Sequence, residues 1–240
     1  TVLGNICADL FFVWFLMTKS RKLSINPAGF HISGAEIGQI LAIGFPASIT
    51  NFMQSLGIAL TNRFLLPYGN ERVAAMGIVM KVNMIAVLIL VGFAFGGQPL
   101  IGYNYGAGNR KRLKDILSFA YRFECGGALL LALVLSFAAR PMIELFMKDP
   151  VIVDAGIPML RMQLAGMPFV AVILITTCVF QSAGKAWNAF LLSVSRQGVL
   201  FAVVLFLASS LAGYCGVLAA QAVSDLLTAL LAVWLFMKKE

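Results

Sequence analysis

Charge is what this chain has least of. Asp, Glu, Lys and Arg make up 12% of its 240 residues, about half the share in a soluble domain, and apolar side chains make up 60% where about 45–50% is usual. Between Val82 and Asn109 there is no charged residue at all. That gap is too long for an ordinary core helix but suits a bilayer, which about 20 apolar residues cross. Cysteine is sparse and scattered: Cys7, Cys125, Cys178 and Cys215 form no CxxC and have no histidine nearby. Neither a zinc site nor a disulfide framework is supported, and four buried apolar thiols are expected. The lone histidine, His31, sits in loop sequence and is most simply solvated. No Ser/His/Asp set, catalytic carboxylate pair, P-loop or HExxH occurs, so an enzyme is not expected. A basic n-region and a small-residue cleavage site are missing as well, which excludes a signal peptide over Thr1–Met17. That segment is expected to be the end of a helix whose beginning lies outside this sequence, and the chain reads as a fragment.

What the sequence has is apolar length, with a mean hydropathy of +0.92. It predicts an all-α polytopic membrane protein. Seven apolar segments can be drawn: 1–17, 36–66, 72–103, 115–139, 158–181, 186–209 and 214–237. The stretch 18–35 is a loop carrying Lys19, Arg21 and Lys22, and 238–240 is a tail. The second segment exceeds one span, and Pro46 is expected to break it, leaving Glu36 to Gly44 as a short amphipathic helix along the interface. Alternate loops differ in basic content. One side has Lys19, Arg21, Lys22, Arg110, Lys111, Arg112, Lys114, Lys185, Lys238 and Lys239; the other has Arg63, Arg72, Arg140, Lys148 and Arg161. The richer side is predicted to be cytoplasmic, and with it the C-terminus. This also accounts for the net charge of +8 without a nucleic-acid partner.

The stretch Gly92 to Lys114 combines features found nowhere else in the chain. Two small-xxx-small pairs, Gly92/Gly96 and Gly102/Gly106, flank Pro99 and run into the basic cluster Arg110–Lys114. Such pairs let a neighbouring helix come close, and proline removes a backbone donor and bends the helix. The stretch reads either as a packing seam or as a hinge beside a cavity.

The charged residues Asp9, Lys81, Arg122, Glu124, Arg196 and Asp225 fall within apolar segments. A charge near the bilayer centre costs about 2.5–3.5 kcal/mol on insertion scales, so each needs a partner, a cavity or a route to the interface. Arg122 and Glu124 lie near a segment end and are expected to snorkel; Lys81 could do so too. Arg196 is deeper and calls for a partner or a pathway role. Asp225 shares a helix face with Gln221 and Thr228, at i, i+4 and i+7 spacing. It reads either as a helix–helix hydrogen bond or as a protonatable group lining a cavity. Asn51, Gln54 and Asn62 form one polar stripe, and Thr177 and Gln181, a turn apart in the fifth segment after Gln163, form another. Several stripes without a catalytic trio fit a hydrated, ligand-binding cavity better than packing alone.

Taken together these residues resemble the C-terminal half of a multidrug and toxic compound extrusion (MATE) transporter. Gly97-Gln98-Pro99-Leu100-Ile101-Gly102-Tyr103-Asn104-Tyr105-Gly106-Ala107 is similar to the family's signature at the end of its eighth helix. Phe180-Gln181-Ser182-Ala183-Gly184-Lys185, Ser195-Arg196-Gln197, Ala220-Gln221-Ala222-Val223-Ser224-Asp225 and Ile43-Gly44-Phe45-Pro46 follow the family's order. The resemblance implies a six-helix lobe of a twelve-helix, two-lobed protein, plus the end of the preceding helix. It implies a multi-pass protein of the cell inner membrane that exports drugs or organic cations by alternating access. Export would be coupled to protons or sodium, with no other cofactor, and the partners would be the lipid bilayer and an N-terminal lobe. Asn51, Gln54, Gln181, Arg196, Gln221 and Asp225 are the candidate pathway residues. Gly97, Gln98, Pro99, Gly102 and Gly106 are expected to shape a moving cytoplasmic end. Two features depart from the family pattern. The acids that sodium-coupled members place in helices seven, eight and ten have no counterpart, and the proline after the Arg-Gln pair is missing. A flippase for lipid-linked sugars and a non-transporting assembly protein remain as alternatives.

Overall fold

The computed structural model describes residues 2–18 and 34–238, and every described element is a helix or a turn. The chain divides into two units, Thr1–Phe45 and Pro46–Glu240. In the first, α1 (Val2–Thr18) exposes an aromatic run in which the Phe11 ring lies 6.0 Å from Trp14 and 6.4 Å from Phe15. Thr18 ends it by donating its hydroxyl to the Trp14 carbonyl at 2.7 Å. The loop cations Lys19, Arg21 and Lys22 and the histidine His31 lie outside the described residues, as do most side chains of the expected interfacial helix over 36–44. Pro46, expected to break the second segment, lies within α2 (Gly34–Leu65), at the junction of the two units.

The second unit holds the rest of α2, a 3-10 turn (Leu66–Tyr68), and α3 (Asn70–Gly96), α4 (Gln98–Gly106), α5 (Arg110–Phe137), α6 (Ala139–Glu144), α7 (Pro150–Ala165), α8 (Met167–Ser182), α9 (Ala186–Gln197) and α10 (Val199–Met237). Its helices start where local chemistry directs. Asn109 caps α5 by accepting from the Arg112 amide at 3.2 Å, and Asp149 caps α7 by accepting from the Val151 amide at 2.9 Å. Proline occupies the first turn of α4, α7 and α8, where its missing N–H costs nothing.

The helices differ from the expected segments at their breaks. The single span expected over 72–103 is two helices that part at Gly97, two residues before Pro99. The segment expected over 158–181 begins earlier, at Pro150, and α7 and α8 meet at Gly166 with a bend of 41°. The run expected over 186–209 breaks at Gly198, and its second part continues with the run expected over 214–237 as α10, so that Trp187–Met237 spans 51 residues. Straight, that run would extend roughly 75 Å, far beyond a hydrocarbon core of about 30 Å. It is not straight. Gly213 has φ 53° and ψ −126°, outside the range of an L-residue helix, and the chain turns back there. Three runs among the described residues are long and apolar enough to cross a membrane, Asn70–Gly106, Arg110–Phe137 and Trp187–Met237, with α7–α8 a fourth if it is one span.

The core of this unit packs α3 on α7, α5 and the first limb of α10. Met76, Val79 and Val82 meet Val153, Leu160, Leu164, Ala128 and Leu205, all buried. A second cluster joins α4, α5 and α8 through Ile101, Leu117, Ile175 and Cys178, with Phe236 of α10 against it. Outward faces stay apolar, with Phe137 and Leu211 each 86% exposed, as lipid-facing surface requires.

Candidate functional site

Five helices bring polar side chains to one cavity of about 390 Å³ in the second unit. On α2, Gln54, Ile58 and Thr61 fall at i, i+4 and i+7 and so share a face. Across from them Lys81, Met84 and Leu88 of α3 repeat at i, i+3 and i+7. Gln163 from α7, Arg196 at the end of α9 and Gln221 from α10 complete the polar wall, and Phe201 adds apolar surface.

Behind Arg196 lies the one buried ion pair among the described residues. Its Nε donates to Asp225 Oδ1 at 2.8 Å, and Gln221 Nε2 donates to the same oxygen at 3.1 Å. The Asp225 side chain is 3% exposed and that of Arg196 15%, so the carboxylate is sealed in while the guanidinium reaches the cavity. Ser224 donates its hydroxyl to the Arg196 carbonyl at 3.2 Å, which fixes the two limbs against each other a second time. The other carboxylate oxygen faces the break between α7 and α8. A Cβ at Gly166 would stand 3.0 Å from Asp225 Oδ2, so only glycine lets α10 approach so closely there.

Of the candidate pathway residues, Gln54, Arg196 and Gln221 line the cavity, and Asp225 anchors Arg196 from behind it. Asn51 is exposed on α2, and its carbonyl accepts the Ser55 hydroxyl at 3.1 Å. Gln181 is elsewhere: its Oε1 accepts from Gln98 Nε2 at 3.2 Å, and Ser182 donates to the Gln98 carbonyl at 3.4 Å. Gln181 therefore belongs to the break around Gly97, Gln98 and Pro99. Of the small residues expected to shape that end, Gly102 faces Ser182 at contact distance. A Cβ at Gly92, Gly96 or Gly106 would meet no described atom within 4 Å. The two GxxxG pairs are thus not a continuous seam among the described residues.

Two residues stand out beyond the candidates. Lys81 lines the cavity, and the expected snorkelling of Glu124 does not occur. Glu124 is 3% exposed, and its Oε1 is buried without a partner, while Arg122 is exposed. Glu124 shares the face of α5 that carries buried Leu117, Ala128 and Ala132. That inward spacing was readable in the sequence, whereas distance from the helix end was the weaker guide.

Broken spans around a polar, half-open cavity, with apolar helix faces turned outward, define a multi-pass membrane protein built like a transporter lobe. A model of the family MatE matches residues 46–207, and the chain belongs to that family. It is 28% identical over 234 residues to the multidrug export protein MepA of Staphylococcus aureus (strain N315), covering 97% of this chain and 51% of that protein. It is 29% identical over 240 residues to MepA of Staphylococcus haemolyticus (strain JCSC1435), covering 98% and 52%. Among solved structures, a MATE protein in complex with MaL6 superposes with a TM-score of 0.82 at 20% identity, over 99% of this chain and 55% of that one. The outward-facing conformation of a multidrug resistance MATE family transporter gives 0.81 at 20% identity, over 99% and 54%. These structures share the fold. The chain spans about half the length of the curated relatives it matches.

Proposed function

We propose that this chain is the C-terminal lobe of a secondary active exporter of organic cations or amphiphilic drugs, driven by proton or sodium exchange through alternating access. The observation that carries this reading is the cavity. It puts amides and two cations between helices with apolar walls, where orienting polar groups and hydrophobic contact surface occur together. The helices around it are broken at Gly97, Gly166 and Gly198, and broken helices beside a cavity are where transporter cores move. Multidrug export by the MepA relatives supports the same reading. Arg110, Lys111, Arg112 and Lys114 begin α5 on exposed surface, and Leu113 and Ile116 share a cluster with Phe236, near Lys238. This basic end supports a cytoplasmic C-terminus in the cell membrane.

The test is ethidium efflux from cells expressing the complete reading frame that contains this chain. Efflux is expected to collapse when a protonophore is added or sodium is withdrawn, and whichever treatment acts identifies the ion. Ethidium retained equally by expressing and control cells would refute export.

Pro99 offers a second measurement. It has no N–H to extend α3 into α4, and the Leu100 and Ile101 amides both turn back to the Gly97 carbonyl, at 3.1 and 3.2 Å. Pro99→Ala is expected to restore a donor and stiffen the junction. Turnover should slow by a few fold while the half-saturating drug concentration stays within about twofold; an unchanged turnover would show that this break does not move.

A further inference from the structure

We propose that Glu124 of α5 is a proton-binding group of the transport cycle. It takes up a proton when α8 closes on α5 and gives it to water when α8 tilts away. This deepens the export reading and rests on it: the driving ion is then the proton, and the group that carries it in this lobe lies outside the cavity.

Glu124 is 3% exposed, and its Oε1 is sealed from solvent with no hydrogen-bond partner among the described residues. Nothing outside this fold, a second lobe included, reaches that oxygen unless the helices part. Its titratable neighbours are thiols, Cys125 on its own helix and Cys178 on α8. The other helices packed on α5 bring it no charge. Between Val82 and Asn109, which covers most of α3 and all of α4, there is none. On α7, Arg161 donates to the Ser136 carbonyl, about three turns further along α5, and Asp154 pairs with Arg140 of α6, as does Glu144. Arg122 is exposed. An ionised carboxyl in such a place is uncompensated, whereas a protonated one is not. A hard cation needs several oxygen ligands, and here one carboxyl stands among thiols and alkyl groups, so a proton fits where sodium does not.

The surroundings are built to open. Cys125 Sγ faces the Pro168 carbonyl at 3.9 Å, at the start of α8 and beside the 41° bend. Across that bend Gln163 lines the cavity, and Gly166 abuts Asp225, which holds Arg196. One turn from Glu124, on the same face, Tyr121 meets Thr176 at 2.8 Å. Tyr121 is the donor there, because the Thr176 hydroxyl is committed to the Val172 carbonyl at 2.7 Å. A tilt of α8 about its bend breaks this hydrogen bond and admits water to Glu124. The same tilt acts on the cavity wall, which links proton release to the state of the cavity.

The transporter is purified from its complete reading frame and reconstituted into liposomes. Ethidium transport is measured once under a pH gradient and once as counterflow, in which radiolabelled ethidium exchanges for unlabelled and no net proton moves. Glu124→Gln keeps the side chain's size and removes its titration. It is expected to lose gradient-driven uptake by about tenfold, the size of a coupling between two sites, and to keep counterflow within about twofold of the wild type. Glu124→Asp should keep driven uptake with a shifted pH optimum. Infrared spectra read the acid itself, as a protonated carboxyl band that fades as pH rises and is missing from Glu124→Gln. Driven uptake that survives in Glu124→Gln overturns the proposal, as does counterflow that falls in step with it, which would make Glu124 scaffold only. A wild type driven by sodium alone also overturns it and leaves export standing. A wild type without counterflow fails the export reading instead, and the infrared band then decides whether Glu124 binds a proton at all.

Discussion

Arg196→Met should be the most destabilising change at the cavity, lowering the melting temperature in detergent by roughly 10 °C. Among the described residues the guanidinium is the only cation paired with Asp225, whose side chain is 3% exposed, and truncation leaves that carboxylate buried and uncompensated. Breaking such a pair from one side costs about 3–5 kcal/mol. A chain of this size loses roughly 2–4 °C per kcal/mol. Asp225→Asn should be milder, because an amide there still accepts from Gln221 and from Arg196, and Arg196, at 15% exposure, can turn to the hydrated side. Removing both charges together, as Arg196→Met with Asp225→Leu, should restore most of the lost stability, since an apolar pair replaces an ion pair at little cost. Tryptophan fluorescence during heating reads all three variants. An Arg196→Met protein that melts with the wild type would mean that the pair contributes nothing to the fold. Efflux separates the two roles of the aspartate: Asp225→Asn inserted normally but failing to export would make the carboxylate part of coupling, and full export would leave it as packing.

The sequence shows which residues share a helix face, but not which neighbour that face meets. Arg196 and Asp225 were both legible as intramembrane charges that need partners, yet nothing within either helix says that they need each other across 29 residues. Gln221 and Asp225 are one turn apart, and there spacing alone found the contact. Gln181 shows the opposite case. Its one-turn spacing from Thr177 puts the two on one face, but the Gln181 side chain meets Gln98 at the α3–α4 break and not the cavity. Glu124 was judged by its distance from the end of α5, whereas burial follows rotation about the axis, and its side turns inward. One break is legible in the sequence, while Pro46 breaks nothing in α2 and the breaks at Gly166, Gly198 and Gly213 are not among those expected. Pro99 and the glycines beside it marked the α3–α4 junction, because a missing donor and a missing Cβ act locally whatever lies nearby. The polar lining contributed by Lys81 and Asn83 was hidden for the same reason as Gln181: a lysine able to snorkel and a lysine facing a cavity have the same local sequence.

The hairpin of α10 should fail when Gly216 acquires a side chain. Gly213 turns the chain with φ 53° and ψ −126°, a conformation that glycine adopts freely and L-residues do not. Three residues later the returning limb presses against the outgoing one. A Cβ on Gly216 would overlap the Ala208 carbonyl and stand 3.0 Å from the Ser209 amide nitrogen. Both neighbours are backbone, which cannot rotate away as a flexible side chain would, so the limbs must separate. The separation would then propagate along the hairpin. Ala189 and Leu192 pack against Ala232 further down, and the Ser224 and Asp225 contacts to Arg196 lie between. At the turn itself, the Tyr214 ring packs against Tyr68 at a tilt of 54°, ring centres 5.3 Å apart, and lies under the Arg72 guanidinium at 4.4 Å. That anchor holds the turn in place and leaves the strain no outlet at this end. Gly216→Val is therefore expected to cut the yield of monodisperse protein several-fold and to broaden its gel-filtration peak. Gly216→Ala should act in the same direction with a smaller effect. Gly92→Ala is the control: it also adds a methyl group to a membrane helix, but where no described atom lies within 4 Å, and it should elute and melt as the wild type does. A Gly216→Val protein that elutes as sharply as this control would show that the two limbs do not close at Ala208, and with them the contact that sets Arg196 against Asp225 would have to be redrawn.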